Sequence, residues 1–261
     1  AKLDHILGEL EVKKKEILSL IEQNKERIDF FEKNWFLYIL NKEIAPILLN
    51  CQQNQKDFYF KDLLNCCIDI IDTPHSTVPY QESGIPVIRT SNLKPYQINF
   101  LNCKYTSKKT FEERRKKLDP KMGDILYARE APWGISAQVK KEGFVVGQRI
   151  LLLRPNLEKI NSDFLDLILN SSFGYNQAKS VVNETTSGHV NIGDIKKFKT
   201  PVIPENEQIK IIQNIKSAEE KFQTQKKQFE NIKNNYESKI NYINHIQSSV
   251  LDSAFSGKLL N

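Results

Sequence analysis

Cysteine, histidine and methionine are scarce in this chain: its 261 residues hold four, four and one of them, and those few are scattered. Cys51, Cys66, Cys67 and Cys103 include no Cys-x-x-Cys pair, and Cys66-Cys67 lies in an apolar stretch, so neither a zinc ribbon nor a disulfide framework is expected. They read as reduced thiols of a cytoplasmic protein. His5, His75, His189 and His245 are too dispersed to build a metal cluster from sequence neighbours. Long apolar runs are missing too. The longest, such as Phe36 to Leu40 and Ile150 to Leu153, fall far short of the roughly 18 to 20 residues that cross a bilayer, which excludes a membrane-spanning helix. The phosphate loop, the dinucleotide turn, the nucleophile elbow and the His-Glu-x-x-His zinc helix are all absent, so no cofactor and no catalytic centre is expected. The paired carboxylates Glu112-Glu113 sit in a basic run and suit a solvated surface better than acid and base work. The opening Ala1-Lys2-Leu3-Asp4-His5 has neither an initiator methionine nor a signal peptide, as a processed or excised start would.

Glycine and proline are rare at both ends of the chain. Eight of ten glycines and nine of ten prolines fall between Pro74 and Pro204, which predicts helical flanks around a middle rich in strands and turns. The C-terminal flank carries Ile211, Ile215, Ala218, Phe222, Gln225, Phe229, Ile232, Tyr236, Ile240, Ile243, Ile246 and Val250 at steps of three or four. This is a seam with a period of about 3.5 residues on a helix on the order of 65 Å long, and such a rod cannot bury its stripe alone. The N-terminal flank repeats the pattern through Leu7, Leu10, Lys14, Ile17, Ile21, Asn24, Ile28 and Trp35, and Pro46 is expected to close it. The expected fold is α+β: a mixed, largely antiparallel domain over 51–204, held between two long antiparallel coiled-coil helices over 1–50 and 205–261. Strands are expected at Pro86 to Arg89, Asp124 to Ala128, Phe144 to Val146 and Arg149 to Leu153, with a helix at Asp163 to Asn170 and a linker at Asn50 to Lys56.

The chain has 38 basic and 32 acidic side chains, a net charge of +6 that alone decides little. Its position is more informative. Between Lys104 and Lys121, eight cations (Lys104, Lys108, Lys109, Arg114, Arg115, Lys116, Lys117, Lys121) face only Glu112, Glu113 and Asp119, a local balance of +5. Clustered cations suit phosphates, because each phosphate neutralised releases counterions; a lysine-rich solvated face is the plain alternative for this run. Polar residues of base-reading type stand at the ends of the predicted strands: Arg89, Thr90, Ser91, Asn92 and Lys94; Arg129 and Glu130; and Gln148 and Arg149; Thr185, Thr186, Ser187 and His189 belong to a small polar loop before a strand. Their forks and amides match guanine and adenine edges, and Glu130 can accept from cytosine or hold Arg129 in place. Trp133 is a candidate groove wedge or a core aromatic.

Taken in order, these segments resemble a known family. Gly84-Ile85-Pro86-Val87-Ile88-Arg89-Thr90-Ser91-Asn92-Leu93, the stretch from Gly123-Asp124-Ile125-Leu126 to Ala131-Pro132-Trp133-Gly134, and Gly147-Gln148-Arg149-Ile150-Leu151-Leu152-Leu153-Arg154-Pro155 resemble the target recognition domain of type I restriction-modification specificity (S) subunits. Ser187-Gly188 to Asp194-Ile195 does so as well. Pro201-Val202-Ile203-Pro204-Glu205-Asn206-Glu207-Gln208-Ile209 resembles the start of that family's spacer helix, and Leu251-Asp252-Ser253-Ala254-Phe255-Ser256-Gly257-Lys258-Leu259 its end. The resemblance runs from about Phe58 to Leu260. It implies a non-catalytic reader of double-stranded DNA that directs adenine methyltransferase subunits and a motor nuclease subunit to a bipartite site. A complete subunit has two recognition domains, whereas this chain has one. It is therefore either a portion of a longer subunit or a half-sized subunit that forms a homodimer or pairs with another half. Two further readings stay open: a recognition module of a single-chain restriction-methylation enzyme, and a coiled-coil assembly protein.

Overall fold

The computed structural model describes residues 2–182 and 188–256. In chain order the elements are α1 (Lys2–Gln52), β1 (Tyr59–Asp62), β2 (Cys67–Asp72), β3 (Ile85–Ile88), β4 (Leu93–Lys94), β5 (Gln97–Ile98), β6 (Lys104–Thr106), α2 (Lys108–Arg115), β7 (Ile125–Ala128), β8 (Ser136–Gln138), β9 (Val145–Val146), β10 (Ile150–Pro155), α3 (Ser162–Asn170), α4 (Ser172–Val181), α5 (Ile192–Ile195), β11 (Lys199–Val202) and α6 (Glu205–Phe255). They form two compact units, one from residues up to 36 together with those from 216 onward, the other from 37–215.

The first unit is an antiparallel helix pair. Trp35 on α1 stacks on Phe222 of α6, ring centroids 4.6 Å apart, and Gln247 near the far end of α6 donates to Glu11 near the start of α1, so the two helices run in opposite directions. The predicted seam is visible in the burial: Leu7, Leu10, Lys14, Ile17, Ile21, Asn24 and Ile28 are half-buried while the residues between them are mostly exposed. Asn24 satisfies its amide within its own helix by donating to the Leu20 carbonyl at 2.8 Å. On α6, Phe222, Phe229, Tyr236, Ile240, Ile243 and Val250 are half-buried as expected. Ile232 is not. It is 50% exposed, Gln225 also faces out, and Lys226 and Lys233 take the half-buried positions. The helix steps four then three residues here rather than three then four, and a lysine stem can cover apolar surface while its ammonium reaches water.

The second unit contains the last turns of α1. Pro46, expected to close that helix, lies inside it, and the helix continues to Gln52. Leu40, Ile44, Ile47 and Cys51 explain this: they recur at helical spacing and are all buried, which offsets the amide hydrogen bond that proline cannot make. Asn41 fixes this segment from the side, accepting from the Ser172 amide and donating to its hydroxyl. The expected linker therefore begins later, with a turn after Gln52.

The centre of this unit is a four-stranded sheet in the order β2-β10-β7-β8. Strand β10 lies inside it, and Ile150, Leu151, Leu152 and Leu153 are all fully buried, so consecutive residues are apolar because both faces are covered. A second sheet, β6-β3-β9, contributes Ile88 and Val146 to the same core as Leu126, Ala137 and Leu152. Among the described strands only β3 and β9 pair in parallel; the remaining pairings are antiparallel, as expected. Helix α3 starts where Asn161 caps the Asp163 and Phe164 amides, and it buries Phe164, Leu165, Leu167, Ile168 and Leu169. Helix α4 was not anticipated. All four cysteines are unpaired and buried, and burial pushes the thiols of Cys51 and Cys66 up to about 11 and that of Cys67 to about 12, where thiolate chemistry is suppressed.

A buried carboxylate ties α3 to the sheet edge. Asp166 accepts from the Ser136 hydroxyl at 2.5 Å and the Gln138 amide at 3.1 Å, and Asn170 donates to it as well. Burial pushes its pKa up to about 6, against the downward pull of the Ser136 and Gln138 donors. A carboxyl raised in the folded state disfavours folding when ionised, so its penalty is full above about pH 6 and is relieved as pH falls toward the unfolded value near 4. Wild-type stability is therefore expected to gain roughly 1 to 2 kcal/mol from this site between about pH 7 and 5. Asp166→Asn, whatever its absolute loss, should lack that increment in chemical denaturation at the two pH values; equal slopes for the two proteins would exclude it.

Candidate nucleic-acid interface

The polar residues that follow the strands meet because of how the strands pair. Strand β3 ends at Ile88, whose carbonyl accepts from the Gly147 amide at 2.7 Å, placing Arg89 beside the Gly147–Arg149 turn. A side chain at Gly147 would put its Cβ 3.0 Å from that carbonyl and 3.3 Å from Arg89 Cγ, so glycine permits the close approach. The Arg129 amide, just past β7, donates to the Arg149 carbonyl at 3.2 Å, and the Val190 amide donates to the Arg129 carbonyl at 2.9 Å. Glu130 and His189 form a backbone bridge. Arg89, Arg129, Glu130, Gln148, Arg149 and His189 thus share one edge. Thr185, Thr186 and Ser187 lie outside the described residues.

Two ion pairs order this edge. Arg149 Nε stands 2.9 Å from Glu130 Oε2, with the arginine 56% exposed and the glutamate 21%. Arg129 Nε stands 3.5 Å from Asp72 Oδ1, and that arginine is only 12% exposed. Glu130, considered as a holder of Arg129, therefore holds Arg149 instead, and Asp72 at the end of β2 faces Arg129. His75 Nε2 stands 3.1 Å from Asp72 Oδ2. Neither Asp72 nor His75 was singled out from the sequence; the Asp72-Thr73-Pro74-His75 segment directly after an apolar strand was the available signal.

The other candidates divide by what they touch. Asn92 is buried, accepts from the Arg89 amide and donates to the Asn99 carbonyl, so it shapes the turn after β3, while Ser91 and Lys94 are exposed and Thr90 is half-exposed. Trp133 is half-buried and stacks on the exposed Tyr175, centroids 5.0 Å apart, and a side chain at Gly188 would put its Cβ 3.4 Å from the indole nitrogen. In the basic run, Arg114 donates to the Ser76 and Thr77 carbonyls, tying α2 to that loop. Arg115 pairs with Asp119 and lies over the Phe111 ring, and Lys121 pairs with Asp119 too. Lys104, Lys108, Lys109, Lys116 and Lys117 are exposed. Lys108 and Lys109 occupy the first turn of α2, where the helix dipole favours acids. Phe111 packs α2 against Val87 and Val145, on the sheet whose strands β3 and β9 lead into Arg89 and Gly147. Among the described residues no cluster could hold a metal ion, and no helix is long and apolar enough to cross a membrane.

A family profile described as the type I restriction modification DNA specificity domain matches residues 53–234. The chain belongs to that family. The HsdS subunit from Thermoanaerobacter tengcongensis is similar in structure, with a TM-score of 0.51 and 14% identity over 98% of this chain and 59% of that one. The S subunit of a type I restriction-modification system from M. genitalium gives 0.45 and 12%, over 96% of this chain and 59% of that one. A chain from a type I R-M system, solved for its complex assembly and conformational transition, gives 0.42 and 16%, over 93% of this chain and 59% of that one. This specificity-domain chain therefore spans about three fifths of the length of these structures, and the first likeness supports its fold of a mixed domain with two long helices. Among curated proteins none matches it. The specificity domain extends from the turn after α1 into the middle of α6, so the polar edge and the basic helix both lie within the family's segment.

Proposed function

We propose that this specificity domain reads DNA sequence for a type I restriction-modification system, directing adenine methyltransferase and restriction subunits to one half of a bipartite site. The observation that carries the proposal is the family match over 53–234, the segment in which Arg89, Arg129, Glu130, Gln148 and Arg149 gather beside a basic helix. Base readout needs directed donors and acceptors, whereas affinity needs loosely held cations, and the helix that carries the cations packs on the sheet whose strand β3 leads into Arg89. The chain itself acts without catalysis in this reading. A second recognition domain comes from another copy or from the rest of a longer chain. Exposed Ile6, Val12 and Leu20 on α1 give the helix pair apolar surface outside its own seam for partners to cover.

The test is a map of methylated adenines in the source genome with and without the gene. A bipartite motif that loses methylation in the deletion supports the reading. An unchanged methylation map would exclude it.

A further inference from the structure

We infer that Arg149 reads a guanine in the major groove and that Glu130 is the positioning residue that presents its fork. The inference rests on the proposed role of this edge in reading sequence and specifies one base of the site. The carboxylate of Glu130 makes its nearest approach to Nε of Arg149, at 2.9 Å. The carboxylate thus lies beside Nε, while the two terminal nitrogens have no hydrogen-bond partner among the described residues and belong to a side chain that is 56% exposed. Two parallel donors need two adjacent acceptors. In the major groove only guanine supplies them, through N7 and O6; adenine and cytosine put a donor at the corresponding place, and thymine offers one acceptor beside a methyl group.

A phosphate is the competing ligand for any exposed arginine, and the pairing argues against it here. Glu130 cancels most of the charge that would attract a phosphate and places an anion next to it, whereas a base edge is neutral and responds to the direction of the donors. The backbone adds a second, independent observation. Arg149 has φ of +74°, in the left-handed region that favours glycine, and its neighbours hold it there: Gly147 against Ile88 on one side, the Arg129 amide on its carbonyl on the other. Strain of this kind persists where the surrounding structure imposes it, so the backbone of the turn between β9 and β10 fixes where the side chain leaves it. Arg129 is different: only 12% exposed and facing Asp72, it supports the turn through its backbone.

Selection of duplexes with a randomised core on the full chain tests this, comparing wild type with Arg149→Gly and Glu130→Gln. Glycine suits the left-handed backbone, so the first variant keeps the fold. Wild type is expected to enrich a motif containing a G·C pair whose preference falls roughly ten- to a hundred-fold in Arg149→Gly, with the other positions unchanged. Glu130→Gln should weaken preference at that same position by a smaller factor, whereas a general structural loss would lower every position together. Replacing that guanine by 7-deazaguanine, which lacks the N7 acceptor, should weaken wild type about ten-fold and leave Arg149→Gly unaffected. Equal effects of the modified base on both proteins, or a uniform loss on all duplexes in Arg149→Gly, would overturn the guanine contact while the sequence-reading role stands. Full preference at that position in Glu130→Gln would overturn the positioning role. A wild-type chain that selects no motif would remove the sequence-reading role itself.

Discussion

Binding of this chain to duplex DNA is expected to weaken roughly 500-fold as salt rises from about 50 to about 200 mM. The magnitude follows from the cations the fold leaves available. Eight basic residues lie between Lys104 and Lys121, but Arg114 is engaged by the Ser76–Thr77 loop, and Arg115 and Lys121 by Asp119. That leaves Lys104, Lys108, Lys109, Lys116 and Lys117, all exposed and without an ion pair among the described residues. If about five phosphates are neutralised, the logarithm of affinity falls with the logarithm of salt at a slope of about −4.5, which over a four-fold rise gives the stated loss. Titrations at four or five salt concentrations measure that slope directly. Replacing Lys108, Lys109, Lys116 and Lys117 together by glutamine should flatten it by between about three and four while leaving the preferred sequence in place, because phosphate contacts carry affinity and register but little base information. A wild-type slope shallower than about −2 would mean that the run is a solvated face, the plain alternative that its composition allowed.

How much of this was legible in the sequence depended on whether the signal was local. The helix pair was legible because Leu10, Ile17, Ile21 and Ile28 repeat on one face, and a period needs no knowledge of the partner. The same reasoning failed at Ile232, where an isoleucine and a lysine compete for one seam position and the lysine's long stem makes hydropathy a poor guide. It failed again at Pro46, where burial of Ile44 and Ile47 outweighs a lost hydrogen bond, a tertiary effect that composition does not show. The polar edge was legible in part, since Arg89, Arg129 and Arg149 each follow an apolar run. Who faces whom was not. The ion pairs Asp72 with Arg129 and Glu130 with Arg149 depend on β2 and β7 both pairing with β10, at separations no motif spans. The engagement of Arg114 by the Ser76–Thr77 loop and of Arg115 by Asp119 was hidden in the same way, so a charge count overstated the cations available to a ligand.

Removing the carboxylate of Asp124 is expected to destabilise the fold by about 3 kcal/mol. Asp124 is 3% exposed and forms the corner before β7: it accepts from the Lys121 amide at 2.8 Å, and its own carbonyl accepts from the Val139 amide at 2.7 Å. Arg154 on β10 grips it with both Nε, at 2.9 Å, and Nη2, at 2.8 Å. That two-point grip raises the arginine's pKa above its ordinary value, so the guanidinium stays charged throughout the working range. In Asp124→Ala the guanidinium loses its anion while still half-enclosed, and breaking such a pair costs roughly 3 to 5 kcal/mol. The lower end applies because Arg154 is 32% exposed and water can take over some of its donors. At about 2 to 4 °C per kcal/mol for a unit of this size, Tm should fall by roughly 9 °C. Asp124→Asn keeps an acceptor for the Lys121 amide but cannot meet both arginine donors, so its loss should be intermediate. Asp124→Ala combined with Arg154→Met should recover part of the loss, because most of the cost of the single change lies in the cation left behind rather than in the attraction removed. Chemical denaturation of the three variants separates these terms. A loss below about 1 kcal/mol in Asp124→Ala would show that solvent already screens the pair and that the hydrogen-bonded corner stands without it.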